Sequence, residues 1–158
     1  MKKLVAAIFI LTSISCSQKS EHHSNSDNTE TMSSKQIIES KNAPAPIGPY
    51  SQAVLHDGTL YASGQIAINP QTGELDTSSL AVETDLVLKN LGAVLSEAGM
   101  DYSDVLKCSI FLSDMNSFAE VNEIYGRYFS TNPPARETVA VKTLPKNVNV
   151  EISCIAAK

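Results

Sequence analysis

Tryptophan is absent from this chain, and arginine occurs only twice, as Arg127 and Arg136. A surface that grips nucleic-acid phosphates needs clustered Lys and Arg. The formal net charge is -5, so both observations argue against nucleic acid as a partner. Within residues 1–40, Lys2, Lys3, Lys19 and Lys35 balance Glu21, Asp27, Glu30 and Glu39, which leaves the acidic excess in the remainder. Three cysteines, Cys16, Cys108 and Cys154, are too few for a disulfide framework. Of the histidines, His22 and His23 fall in a polar stretch and His56 in a turn. The sequence has no HExxH, no CxxC pair and no acidic calcium loop, which argues against a metal enzyme. It also lacks GxGxxG and P-loop patterns, which argues against a nucleotide cofactor.

What is present begins with an address. Met1-Lys2-Lys3 is a short basic region, and Leu4 to Ile14 is an apolar run of secretory length, too short to span a bilayer. Ser13-Ile14-Ser15-Cys16 follows. A cysteine in that place resembles the lipobox of bacterial lipoproteins, although Ser13 stands where Leu is usual; cleavage near Ser15 without lipidation is the alternative. The expectation is a signal peptide over 1–15, a lipidated Cys16 and a flexible linker to residue 40, so that the protein is exported and anchored at the periplasmic side of the cell envelope. Residues 17–34 are too polar to offset their ordering entropy. Residues 35–40 read either as disorder or as a short lead-in strand.

Residues 41–158 suffice for one compact core. Pro44, Pro46 and Pro49 exclude regular helix at its start. Tyr50–His56 and Thr59–Ile66 read as strands joined by the hairpin signal Asp57-Gly58. Leu80, Val87, Leu88, Leu91, Val94 and Leu95 fall on one helical face, with Ser79 as N-cap and Gly99 as the stop. Val105–Leu112 reads as a strand. Asp114 to Ser117 offer caps for a second helix whose apolar face is Phe118, Val121, Tyr125 and Phe129, with Asn122 at its edge and Pro133-Pro134 ending it. Arg136–Val141 and Val148–Ala156 close the chain as alternating strands. The order ββαβαββ predicts an α+β fold with both helices on one face of a sheet. The second face is expected to carry Glu151, Thr138 and Arg136 among apolar neighbours. Burial between subunits of a symmetric homo-oligomer would relieve that exposure.

Several residues are candidates for chemistry. Arg136 and Thr138 are two apart on a strand and share a side. A guanidinium there can hold a carboxylate through two parallel hydrogen bonds, or simply form a surface ion pair. Glu151 interrupts an apolar strand and can orient or activate water, or lie on a solvated face. Tyr50 reads as core or pocket, and Ser63-Gly64 as a bulge or a close backbone approach. Cys108 and Cys154 lie in strands as buried thiols, with no His placed to activate either as a nucleophile.

Several runs stand in register along the domain: Asn42-Ala43-Pro44-Ala45-Pro46-Ile47-Gly48-Pro49-Tyr50-Ser51-Gln52-Ala53, Ser63-Gly64-Gln65-Ile66 with Asn69-Pro70 and Thr72-Gly73, Phe118 to Tyr125, Pro134-Ala135-Arg136, Leu144-Pro145-Lys146 and Val150-Glu151-Ile152. Together they resemble the RidA (YjgF-type) 2-iminobutanoate/2-iminopropanoate deaminase family. The resemblance spans residues 41–158. It implies a chorismate-mutase-like α+β fold, a homotrimer whose sheets form a central barrel, and clefts between subunits as active sites. It implies hydrolysis of 2-imino acids and their enamine tautomers to 2-keto acids and ammonia without a cofactor. Carried over by motif, Arg136 would hold the substrate carboxylate and Glu151 the attacking water, with Tyr50, Ser63, Gly64, Asn122 and Thr138 lining the pocket. Thr138 stands where many members have Cys, and activity is expected to survive that change. The alternative is a trimer without catalysis that binds small acids or acts as a holdase.

Overall fold

The computed structural model describes residues 34–158. The expected signal peptide, Cys16 and most of the expected linker lie outside these residues. Strand β1 (Gln36–Ile38) opens the described part and pairs with β2 (Ala53–His56), so ordered structure begins ahead of residue 41. β2 turns back into β3 (Thr59–Gln65). Asp57 and Gly58 both have positive φ (48° and 72°), the backbone a tight two-residue hairpin requires.

Helix α1 (Leu80–Glu97) follows. Ser79 caps it by accepting from the Val82 N–H at 3.2 Å. It stops where Gly99 N–H donates to Ser96 O and Met100 N–H to Leu95 O, with Gly99 at φ 70°; this paired arrangement satisfies the last carbonyls. β4 (Val105–Leu112), α2 (Phe118–Tyr128), β5 (Ala135–Ala140) and β6 (Val150–Ala157) complete the domain. Asp114 caps a short turn over Met115–Ser117 rather than α2 itself, where Ser117 makes no side-chain cap. α2 ends at Tyr128, ahead of Pro133.

The six strands run in the order β1-β2-β3-β6-β4-β5. All neighbours are antiparallel except β4 and β5, which are joined through α2. Val150, Ile152, Cys154 and Ala156 of β6 meet Val87, Leu88, Leu91, Val94 and Leu95 of α1 and Val121, Ile124 and Tyr125 of α2 in one core. The expected α+β architecture, with two helices on one side of the sheet, is therefore present. Glu83, in the first turn of α1, is fully buried. Its carboxylate accepts from Asn149 N–H (2.6 Å), Val150 N–H (3.2 Å) and Asn149 Nδ2 (2.8 Å), fixing the start of β6 to the start of α1.

One expectation about the open face fails. Arg136 pairs with Cys108 and Thr138 with Ile110 in the parallel β4–β5 register. Cys108 and Ile110 are buried beneath the helices, so Arg136 and Thr138 share the helix side and not the side of Glu151. Alternation fixes parity within a strand. It says nothing about how that strand is phased against its neighbour. The face away from the helices carries Tyr61, Ser109, Phe111, Glu137, Val139, Glu151, Ser153 and Ile155, as the pairings across β3, β6, β4 and β5 require. On this face Tyr61 is 52% and Val139 42% exposed.

Candidate active site

A cavity of about 300 Å³ opens where the loop before β2 crosses the end of β3. Ile47, Tyr50, Ser63, Gly64, Ile68, Pro145 and Glu151 are among its walls. The Pro-rich loop holds its shape through Gln52, which is 4% exposed. The Gln52 side chain accepts from Ser40 N–H at 2.5 Å and donates to Ser40 O at 3.0 Å and Pro44 O at 2.8 Å. Tyr50 then folds back, its hydroxyl accepting from Ile47 N–H at 3.2 Å. Ser63 locks β3 to the loop, its hydroxyl donating to Ser51 O at 2.7 Å and its N–H to Gln52 O at 2.9 Å.

The β3–β6 register shifts between Ala62 and Gln65, and Gly64 lies inside that irregularity. The Glu151 side chain occupies the space a Cβ on Gly64 would need. Burial alone pushes the Glu151 carboxyl above its ordinary value of 4.5. Among the described residues no cation forms an ion pair with it. A half-buried carboxylate without a counter-ion is a stronger base than an exposed one.

The other candidates form a second group. Arg136 Nη1 donates to Asn122 Oδ1 at 2.8 Å, and its Cζ stands 4.8 Å from the Tyr125 ring centroid and 5.7 Å from that of Phe118. The Thr138 hydroxyl is buried and has no hydrogen-bond partner. β6, β4 and β5 are successive neighbours, and Glu151 is level with Phe111 whereas Arg136 is level with Cys108. Two strand spacings and three residues separate their Cα atoms by about 14 Å, and the side chains leave opposite faces. One protomer thus brings Tyr50, Ser63, Gly64 and Glu151 together, and Asn122, Arg136 and Thr138 together, but does not join the two groups.

Cys108 and Cys154 are buried, unbridged and directly opposite each other on β4 and β6. Burial pushes both thiols up, Cys154 to about 12, so neither is a ready nucleophile. Gln52, Pro145 and Tyr125 also belong to these two groups, although the sequence does not single them out. Gln52 and Pro145 stood inside the quoted motifs, and Tyr125 passed as an ordinary core position.

Residues 40–158 match the endoribonuclease L-PSP family. A human protein, 2-iminobutanoate/2-iminopropanoate deaminase, is 46% identical over 122 residues, 77% of this chain and 89% of that one. A RutC family protein of Synechocystis is 51% identical over 122 residues, 76% of this chain and 94% of its own length. The crystal structure of Escherichia coli TdcF with bound serine superposes with a TM-score of 0.75 at 39% identity, covering 78% of this chain and 98% of that chain.

Proposed function

Because the chain belongs to the endoribonuclease L-PSP (RidA) family, we propose that it hydrolyses reactive 2-imino acids and their enamine tautomers to 2-keto acids and ammonia. The observation that carries this reading is the Glu151 carboxylate, desolvated and unpaired over Gly64 in a cavity of small-molecule size. The name of the human relative, a 2-imino acid deaminase, and the serine held by TdcF support a small 2-substituted carboxylic acid as the substrate class. Ribonuclease chemistry, which the family description names, finds less support: the chain is acidic and has two arginines, too few for an RNA-binding surface.

The imine carbon is already electrophilic, so the site must fix the substrate and orient one water. The Arg136 guanidinium takes the carboxylate through its in-plane N–H groups. Glu151 accepts a proton from the water as it adds to the imine carbon and passes that proton to the nitrogen, giving a neutral tetrahedral amino-alcohol. Glu151 then takes the proton of the new hydroxyl as the carbonyl forms and the C–N bond breaks, and delivers it to the departing nitrogen, so that ammonia and the 2-keto acid are released and the carboxylate is regenerated. No cofactor takes part. Since Arg136 and Glu151 leave opposite faces of the sheet, the reading joins Arg136, Asn122 and Thr138 of one protomer to Tyr50, Ser63, Gly64 and Glu151 of the next. A homotrimer with the open sheet faces inward supplies such junctions and covers Tyr61 and Val139. We also assign the protein to the cell envelope through lipid on Cys16, which metabolic labelling with a fatty acid tests: wild type should take label and Cys16→Ser should not.

The enzymatic reading is tested by generating a 2-imino acid in situ with an amino-acid dehydratase and following keto-acid release. Wild type should accelerate release and Arg136→Ala should not. No acceleration by folded wild-type oligomer would overturn the reading in favour of a non-catalytic binder of small acids.

A further inference from the structure

Arg136 is held by one stripe of α2. Phe118, Asn122 and Tyr125 stand at offsets 0, 4 and 7, which fall on a single helical face. Asn122 accepts from Nη1 at one edge of the guanidinium, while the guanidinium carbon stands over the Tyr125 ring, 4.8 Å from its centroid. A ring that attracts the cation through its π face is not a conventional hydrogen-bond acceptor, so this contact leaves the remaining N–H groups available. The platform is itself immobilised. Tyr125 is 4% exposed, and Phe129 stacks on it at 4.5 Å and 29° between planes. The Tyr125 hydroxyl lies against the Cys108 thiol and makes no conventional hydrogen bond. Burial keeps the phenol neutral at working pH. It is therefore the ring, and not the hydroxyl, that engages Arg136.

We propose that Tyr125 is a positioning residue: held by Phe129 and in contact with Arg136, it aims the guanidinium and so sets affinity for the substrate carboxylate without touching substrate. This rests on the clamp role given to Arg136 above. It reassigns a residue whose helical spacing reads as plain core.

The test compares full-length wild type, Tyr125→Phe, Tyr125→Leu and Arg136→Ala by steady-state deamination and by calorimetric binding of pyruvate. Tyr125→Leu should raise KM and weaken pyruvate binding by about tenfold, within the range of a partly desolvated cation–π contact, with kcat much less affected. Tyr125→Phe, which keeps the ring, should restore wild-type KM and pyruvate affinity. A purely structural Tyr125 would instead lower melting temperature and the active fraction while leaving KM and pyruvate affinity unchanged, and that result overturns the proposal. If Tyr125→Leu does not fold, a fluorinated phenylalanine series at position 125 replaces it. Affinity should fall as fluorine withdraws charge from the ring face, and a flat series overturns the proposal. Pyruvate binding undisturbed by Arg136→Ala would remove the clamp role itself, and this inference with it. Binding lost in Arg136→Ala but kept in Tyr125→Leu would remove this inference alone.

Discussion

The Glu151 carboxylate lies where a side chain on Gly64 would be: a Cβ built there stands 2.7 Å from Glu151 Cδ and 2.9 Å from Cγ. Even one methyl group must displace the carboxylate. Gly64→Ala is expected to reduce kcat by about 100-fold, the scale of an ångström-level misplacement. The atoms displaced belong to a flexible, half-buried side chain at a cavity wall and not to backbone, so stability should fall by less than the roughly 1–3 kcal/mol of a core overpacking. Kinetics together with denaturant unfolding check both. A Gly64→Ala enzyme of wild-type kcat would show that Glu151 is not held where the chemistry needs it.

Burial raises the Glu151 carboxyl above 4.5, and the sign of the consequence follows by linkage. The protonated form suits the folded state, so the stability Glu151 contributes is fully present below its unfolded value and is lost as pH rises through the raised folded value. At pH 7 the ionised group is a cost. Glu151→Gln should therefore raise the melting temperature by no more than a few degrees at pH 7, and the gain should vanish below about pH 4. Deamination should vanish in the same variant. In wild type kcat should fall on acidification with a midpoint above 4.5. An acid limb at or below that value would deny the base role to a desolvated Glu151.

Glu83 carries three hydrogen bonds from Asn149 and Val150, one residue ahead of Glu151. Removing it leaves the Val150 N–H unpaired in the interior and the part-buried Asn149 N–H without its acceptor. Glu83→Ala should cost about 3 kcal/mol or more, read from the denaturant midpoint. Glu83→Gln, which keeps one acceptor oxygen, should cost clearly less. Equal losses would mean that the cavity, not the hydrogen bonding, decides.

Local signals carried much of the fold. Asp57-Gly58 specified its hairpin because both residues accept positive φ. The apolar face of α1 matched the buried residues because a single period governs both. In β6, Val150, Ile152, Cys154 and Ala156 share the buried face and Glu151 the other. What escaped were relations between distant segments. The phase of β5 against β4 depends on pairing across the crossover through α2, so the sequence put Arg136 and Glu151 on one face and the structure puts them on two. Glu83 and Asn149 are 66 residues apart, and no local pattern announces that a carboxylate in a helix will cap a strand. Tyr125 was hidden for another reason: a ring at helical spacing reads as core whether or not a guanidinium rests on it.

The split of the candidate site between two protomers is the claim on which the mechanism depends, and complementation tests it most directly. Arg136→Ala and Glu151→Gln chains, each inactive alone, are co-expressed in equal amounts and the mixed oligomers purified. If Arg136 of one protomer works with Glu151 of its neighbour, random assembly leaves about one junction in four with both residues intact, and about a quarter of wild-type deamination should return. Activity that stays at the background of the single variants, in folded oligomers containing both chains, would contradict the account.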